Sequence, residues 1–181
     1  MARKNEFKPD KPRSGLLNKL YLTQKQRRSL LKWGLYALLL IFLSVLQDVI
    51  LSRYTLFGAN TDLVPCGIFL ICILEGMESG SVFCLVSSLV YLFSGNSPGA
   101  QCVALLTCGT VLLNLFRQMS WHRSSGSILL CTCAGIFLYE MLNFGFGIFT
   151  GSTIWARAGV FLLVAIMTCI CAFPLYPLVK L

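Results

Sequence analysis

Charge is scarce in this chain. Aspartate, glutamate, lysine and arginine make up 12% of its 181 residues, against 56% hydrophobic residues and a mean hydropathy of +0.76. A soluble domain is about one quarter charged, so the composition excludes a water-soluble globular fold and indicates an integral membrane protein. Histidine is nearly absent too. The single one, His122, lies in a basic loop, which leaves no histidine for a catalytic triad or a zinc cluster. Nine cysteines are present, but all lie inside apolar runs and no two form a Cys-x-x-Cys pair. The Cys131/Cys133 and Cys169/Cys171 pairs would diverge by about 200° on a helix, at ~100° per residue. They therefore read as adaptable packing residues rather than zinc ligands. Nucleophile elbows, phosphate-cradling glycine loops and metal-ligand spacings are missing as well. The expectation is a non-enzymatic protein with no cofactor, no catalytic residue and no metal site.

The charge that exists is concentrated at one end. Ten of the 15 lysines and arginines fall in residues 1–32, accompanied only by Glu6 and Asp10 as acids. The first part of this tail, as far as about Ser14, reads as disordered. Beyond it, Leu16, Leu17, Leu20, Leu30 and Leu31 alternate with Lys19, Lys25, Arg27 and Arg28. That alternation suits an interfacial helix, with cations at phosphate level and leucines toward the acyl chains. The same charges set orientation by the positive-inside rule. No folded basic domain accompanies them, so nucleic acid is excluded as a partner.

The rest, residues 33–181, reads as one all-α membrane bundle of about six spans, approximately 33–51, 63–78, 80–94, 100–116, 126–149 and 158–179. Trp33 and Tyr36 are placed as interface anchors of the first span. Gln47 and Asp48 lie near its far end, Asp48 being about 22 Å from Trp33 at ~1.5 Å per residue. The second and third spans form a tight hairpin opened by Asp62 and interrupted at Glu75-Gly76-Met77-Glu78-Ser79-Gly80. Neither half has the ~20 apolar residues that a straight crossing needs, so longer helices are expected to cover its ends. Glu75 and Glu78, three apart, are expected to share a helical face, and Gly76 and Gly80 to let two backbones approach. Arg117 and Arg123 mark a cytoplasmic interface, and Pro174 and Pro177 are expected to break the last turns of span six. Both termini fall on the cytoplasmic side by parity.

Glu140 carries the strongest energetic signal. It falls near the midpoint of span five, where a charged carboxylate costs at least ~2.5 kcal/mol on insertion scales. It should face the bundle interior, with Asn143 one turn away on the same face and Gln101 or Asn114 on span four as candidate partners. A proton or ligand site and a hydrogen-bonded packing contact are the two readings. No second buried carboxylate or histidine is evident to form a relay.

The order of these features resembles a known family. A basic tail leads to a first span ending in Leu46-Gln47, and Asp62-Leu63 opens the second. A glycine turn at Gly76 and Gly80 follows, then Gly95 and Pro98-Gly99 before span four. Arg117 ends that span, and Tyr139-Glu140 lies in span five. Over most of residues 35–150 this resembles the bacterial rod shape-determining protein MreD family. Thr61 stands where the family usually has proline, Phe93-Ser94 replaces a common acidic residue, and the basic tail is long. The resemblance implies a bundle similar to the substrate-binding subunits of energy-coupling-factor transporters. It implies a scaffold of cell-wall elongation in the bacterial cytoplasmic membrane, without enzymatic activity. Its implied partners are a bitopic MreC-like protein and, through it, the RodA–penicillin-binding-protein synthase and MreB. Candidate buried or partner-contact residues are Gln47, Asp48, Asp62, Glu140 and Asn143. Gly76, Gly80, Gly95 and Gly99 are the candidate helix-packing glycines. The alternative is a vitamin-binding transporter subunit of that fold, with a pocket near Gly58–Asn60 and Gly151–Trp155.

Overall fold

The computed structural model describes residues 24–49, 51–53, 61–95, 97–120 and 125–180. The tail before Gln24, the Gly58–Asn60 loop, His122 and Arg123 lie outside them. The described residues are helical and contain no strand. They form α1 (Gln24–Val49), α2 (Leu63–Glu75), α3 (Met77–Phe93), α4 (Gln101–Ser120), α5 (Ser125–Phe149) and α6 (Ala158–Lys180). Short 3-10 turns at Leu51–Arg53 and Trp155–Arg157 follow α1 and precede α6. Three stretches are long and apolar enough to cross a membrane: Gln26–Val49, Ser125–Phe149 and Trp155–Val179.

Two units are distinguished, one ending at Leu35 and the other beginning at Tyr36. In the first, helix α1 is already formed from Gln24, so the stretch expected to hold a separate interfacial helix is, from there on, continuous with the first span. Leu30, Leu31 and Leu35 are exposed along it. In the second, α2 is the central element, in contact with α3, α4, α5 and α6. Every residue from Leu63 to Ile73 is buried. That all-round burial matches its sequence, which is apolar on every face rather than along one stripe.

The 13 residues of α2 rise only about 20 Å, and the 17 of α3 about 25 Å, at ~1.5 Å each. The helices around α2 approach it at small residues. Phe69 presses its ring against Gly109 of α4 and Gly135 of α5, where an added Cβ would lie 3.3 Å from ring atoms. The same ring meets that of Tyr139 edge to face at 6.2 Å between centroids. On another side, Gly67 takes the side chains of Leu40 and Leu43 from α1. Such contacts are what hold helices together in lipid, where apolar surface gains nothing by leaving the solvent.

The four glycines expected to pack helices divide into two kinds. Gly80 alone does so: a Cβ there would lie 2.5 Å from the Cys72 carbonyl oxygen of α2. Gly76 (φ 89°), Gly95 (φ 80°) and Gly99 (φ 125°) instead occupy left-handed backbone in the connections before α3 and α4. Gly76 makes the α2–α3 hairpin a one-residue reversal, so Glu75 ends one helix while Glu78 begins the next. They do not share a face. Helix α6 also differs from expectation, since it runs unbroken through Pro174 and Pro177 to Lys180. Both prolines are exposed, and bilayer helices tolerate proline where neighbouring groups re-satisfy the freed carbonyls.

Alanine substitutions should separate the two glycine roles. Gly76→Ala meets nothing within 4 Å but must adopt φ 89°, ψ −175°, a glycine-only region costing on the order of 1–3 kcal/mol. Gly80→Ala has ordinary helical geometry but meets backbone, and should cost about 1–3 kcal/mol by overpacking. Thermal unfolding in detergent measures both. Further enlargement to valine should leave the Gly76 cost nearly unchanged and steeply raise that at Gly80.

Candidate functional site

A helix as short as α2 leaves its first N–H groups and last carbonyls without partners along its own chain. Inside a bundle each such group costs several kcal/mol unless a side chain reaches it. The polar residues singled out in the sequence collect at these two ends.

At the C-terminal end, Asn114 Nδ2 of α4 donates to the Cys72 carbonyl at 3.4 Å. Arg117, one turn further along α4, donates to the Ile73 carbonyl. A guanidinium at the negative end of a helix dipole is favourably placed. Glu75 accepts from the Tyr36 hydroxyl at 2.7 Å. Tyr36, expected as an interface anchor, is therefore a buried donor, 8% exposed, that ties α1 to the α2–α3 turn. Arg117, expected to mark a cytoplasmic interface, also acts as a partly buried cap. A polar cleft beside this end is lined by Glu75, Gly76, Asn114, Arg117 and Gln118.

At the N-terminal end the helper is Gln47. Its Oε1 accepts from the Val64 N–H at 3.2 Å, and its Nε2 donates to Asp62 Oδ1 at 3.3 Å. Thr168 Oγ1 of α6 accepts from the Asp62 N–H at 3.2 Å. Asp62 thus sits as an acid at the positive end of α2, where a negative charge is stabilised. Glu140, 3% exposed, brings its carboxyl within hydrogen-bonding reach of Asp62. Tyr139 and Asn143 lie beside each other and Tyr91 beside Gln47, so the cluster draws on five helices.

Glu140 and Asn143 therefore face inward together, as expected from their spacing on α5. The expectation that Glu140 lacks a second carboxylate is corrected: Asp62 supplies it, brought over by the fold from 78 positions away in sequence (140 − 62). Gln101 and Asn114 are not its partners. Gln101 donates to the Pro98 carbonyl and Asn114 serves the opposite end of α2. Asp48 is exposed, unlike its neighbour Gln47. Tyr91 and Thr168 carry no signal in the sequence, being ordinary helical residues whose role depends on what they face. Among the described residues, no three His, Cys, Asp or Glu side chains converge in a group suited to a metal ion. All nine cysteines are free thiols.

Comparison with protein-family models, with curated proteins and with solved structures finds no match to this chain.

Gln47→Leu tests the N-terminal end. It preserves shape while leaving the Val64 N–H and one Asp62 oxygen unpaired. Each orphaned group costs about 1–3 kcal/mol, so the detergent melting temperature should fall clearly. Val49→Ala, exposed on the same helix, gives the control and should change it little.

Proposed function

We propose that this protein is a non-enzymatic membrane scaffold of the bacterial cell-wall elongation machinery, similar to the MreD family. One observation carries the reading. The residues that make up the resemblance, scattered from Leu46 to Glu140, do not scatter in space. Gln47, Asp62, Arg117 and Glu140 converge on the two ends of α2, and Gly76 and Gly80 shape its hairpin. A pattern that defines a fold would be expected to fall on such positions.

The periphery supports the same reading. Between α1 and α3 runs an apolar groove of about 260 Å³, whose lining includes Ala37, Ile41, Ser44, Val86, Ser87 and Ser94. Small side chains along a lipid-facing groove suit the single transmembrane helix of a bitopic MreC-like partner. Through that partner the scaffold would reach the RodA–penicillin-binding-protein synthase and MreB. The basic tail lies in the cytoplasm in this reading, by the positive-inside rule.

Depletion in the source bacterium is the test. Rod-shaped cells should round and swell, and the tagged protein, extracted in mild detergent, should bring down a bitopic MreC-like protein. Cells that stay rods, with no such partner recovered, would overturn the proposal. A vitamin retained through purification would instead favour a transporter subunit.

A further inference from the structure

The polar cleft beside the C-terminal end of α2 has a volume of about 490 Å³, within the ~300–1,000 Å³ of small-molecule sites. Its depth follows from its neighbours. Ile73, near the end of α2, packs against Ile128, three residues after α5 begins at Ser125 (128 − 125). Arg117, which reaches the Ile73 carbonyl, stands three residues before α4 ends at Ser120 (120 − 117). The cleft is therefore level with the ends of the helices around it, where the chain leaves the hydrocarbon and phospholipid head groups lie. Its lining sets polar Glu75, Arg117 and Gln118 beside apolar Leu74, Met77 and Ile128.

The charged residues in that lining are one of each sign. Among the described residues, the Arg117 guanidinium makes one hydrogen bond, to the Ile73 carbonyl, out of the five N–H donors such a group carries. Glu75 accepts from the Tyr36 hydroxyl, and a carboxylate has about four acceptor positions, so it can take a donor from a ligand as well. A simple anion would be drawn to Arg117 and repelled by Glu75, and a simple cation the reverse. A group that carries a phosphate and an ammonium together answers both. The guanidinium suits the phosphate as a forked pair of donors, and a primary ammonium can donate to the carboxylate, which a quaternary one cannot. We infer that the cleft holds the phosphoethanolamine head group of one phospholipid from the surrounding layer, its phosphate on Arg117 and its ammonium on Glu75. Leu74, Met77 and Ile128 offer the apolar side to the glycerol and acyl end. The inference goes beyond the scaffold role and stands whether or not that role holds.

The experiment uses the full-length protein in detergent, washed free of native lipid. Phosphatidylethanolamine, phosphatidylcholine and phosphatidylglycerol with matched acyl chains are titrated in separately, and bound lipid is counted by native mass spectrometry. Phosphatidylethanolamine should saturate at one molecule per chain and bind about tenfold more tightly than the other two, the worth of one charge-assisted hydrogen bond. Glycerophosphoethanolamine, the same head group without chains, should bind more weakly than the lipid. Glu75→Gln keeps an acceptor for Tyr36 and should abolish the preference over phosphatidylcholine. Arg117→Lys keeps a donor for the Ile73 carbonyl and should weaken phosphatidylethanolamine about tenfold, since the forked geometry is lost. Should a variant fail to fold, the wild-type discrimination among head groups decides alone. Binding without saturation, equal binding of the three lipids or a preference for another of them would overturn the inference. So would a preference that survives Glu75→Gln, or glycerophosphoethanolamine binding as tightly as the lipid.

Discussion

The architecture depends on satisfying the ends of a helix too short for the layer it occupies. A hydrocarbon core about 30 Å thick surrounds a central helix of only 13 residues. Its terminal N–H and carbonyl groups therefore fall among other helices, where no lipid group can pair with them. Side chains from α1, α4 and α6 do so instead: Gln47, Asn114, Arg117 and Thr168. Each belongs to a helix that has to be in register with α2 for its side chain to reach. The polar residues thereby fix the relative depth of the helices, which apolar packing alone leaves loosely specified. The glycines around Phe69 and Cys72 then bring the helices close enough for those short side chains to span the gap.

Much of this was legible in the sequence, and the misses share one cause. The interruption at Gly76 to Gly80, the paired inward face of Glu140 and Asn143, and the free thiols, five of the nine buried, all follow from local pattern. Such signals need only the period of a helix and the cost of burying a charge. What the pattern did not give were the partners of the polar side chains. Tyr36 read as an interface anchor because tyrosines near the end of an apolar run usually are. The helix continues beyond it to Gln24, which puts Tyr36 level with the α2–α3 turn. Arg117 read as a mark of the cytoplasmic interface, with no sign that it also reaches the Ile73 carbonyl. The Asp62–Glu140 pair was hidden because it requires knowing that the head of α2 lies level with the middle of α5. No one-dimensional pattern states that.

Glycine roles were ambiguous for a different reason. Gly76 and Gly80 have the spacing of a close-packing pair, yet only Gly80 packs, while Gly76 reverses the chain at positive φ. Both roles select the same residue type, one for its missing Cβ and the other for its backbone freedom, so composition cannot separate them. The two prolines of α6 illustrate the converse. Their local preference to end a helix is real, but in a bilayer an unravelled segment has nowhere to place its backbone groups. The continuous helix is the less costly state.

The two ends of α2 also differ in how their polar groups are matched. At the C-terminal end, donors meet acceptors: Asn114 and Arg117 serve carbonyls, and Tyr36 serves Glu75. There the Arg117 charge opposes the helix dipole, while the Glu75 carboxylate is served by the Tyr36 hydroxyl. At the N-terminal end, stability would be met by Asp62, Gln47 and Thr168 without any further acid. Glu140 adds a carboxyl to a site already satisfied and leaves oxygens unpaired beside it. Glu140 is thus the acid that the capping of α2 does not call for.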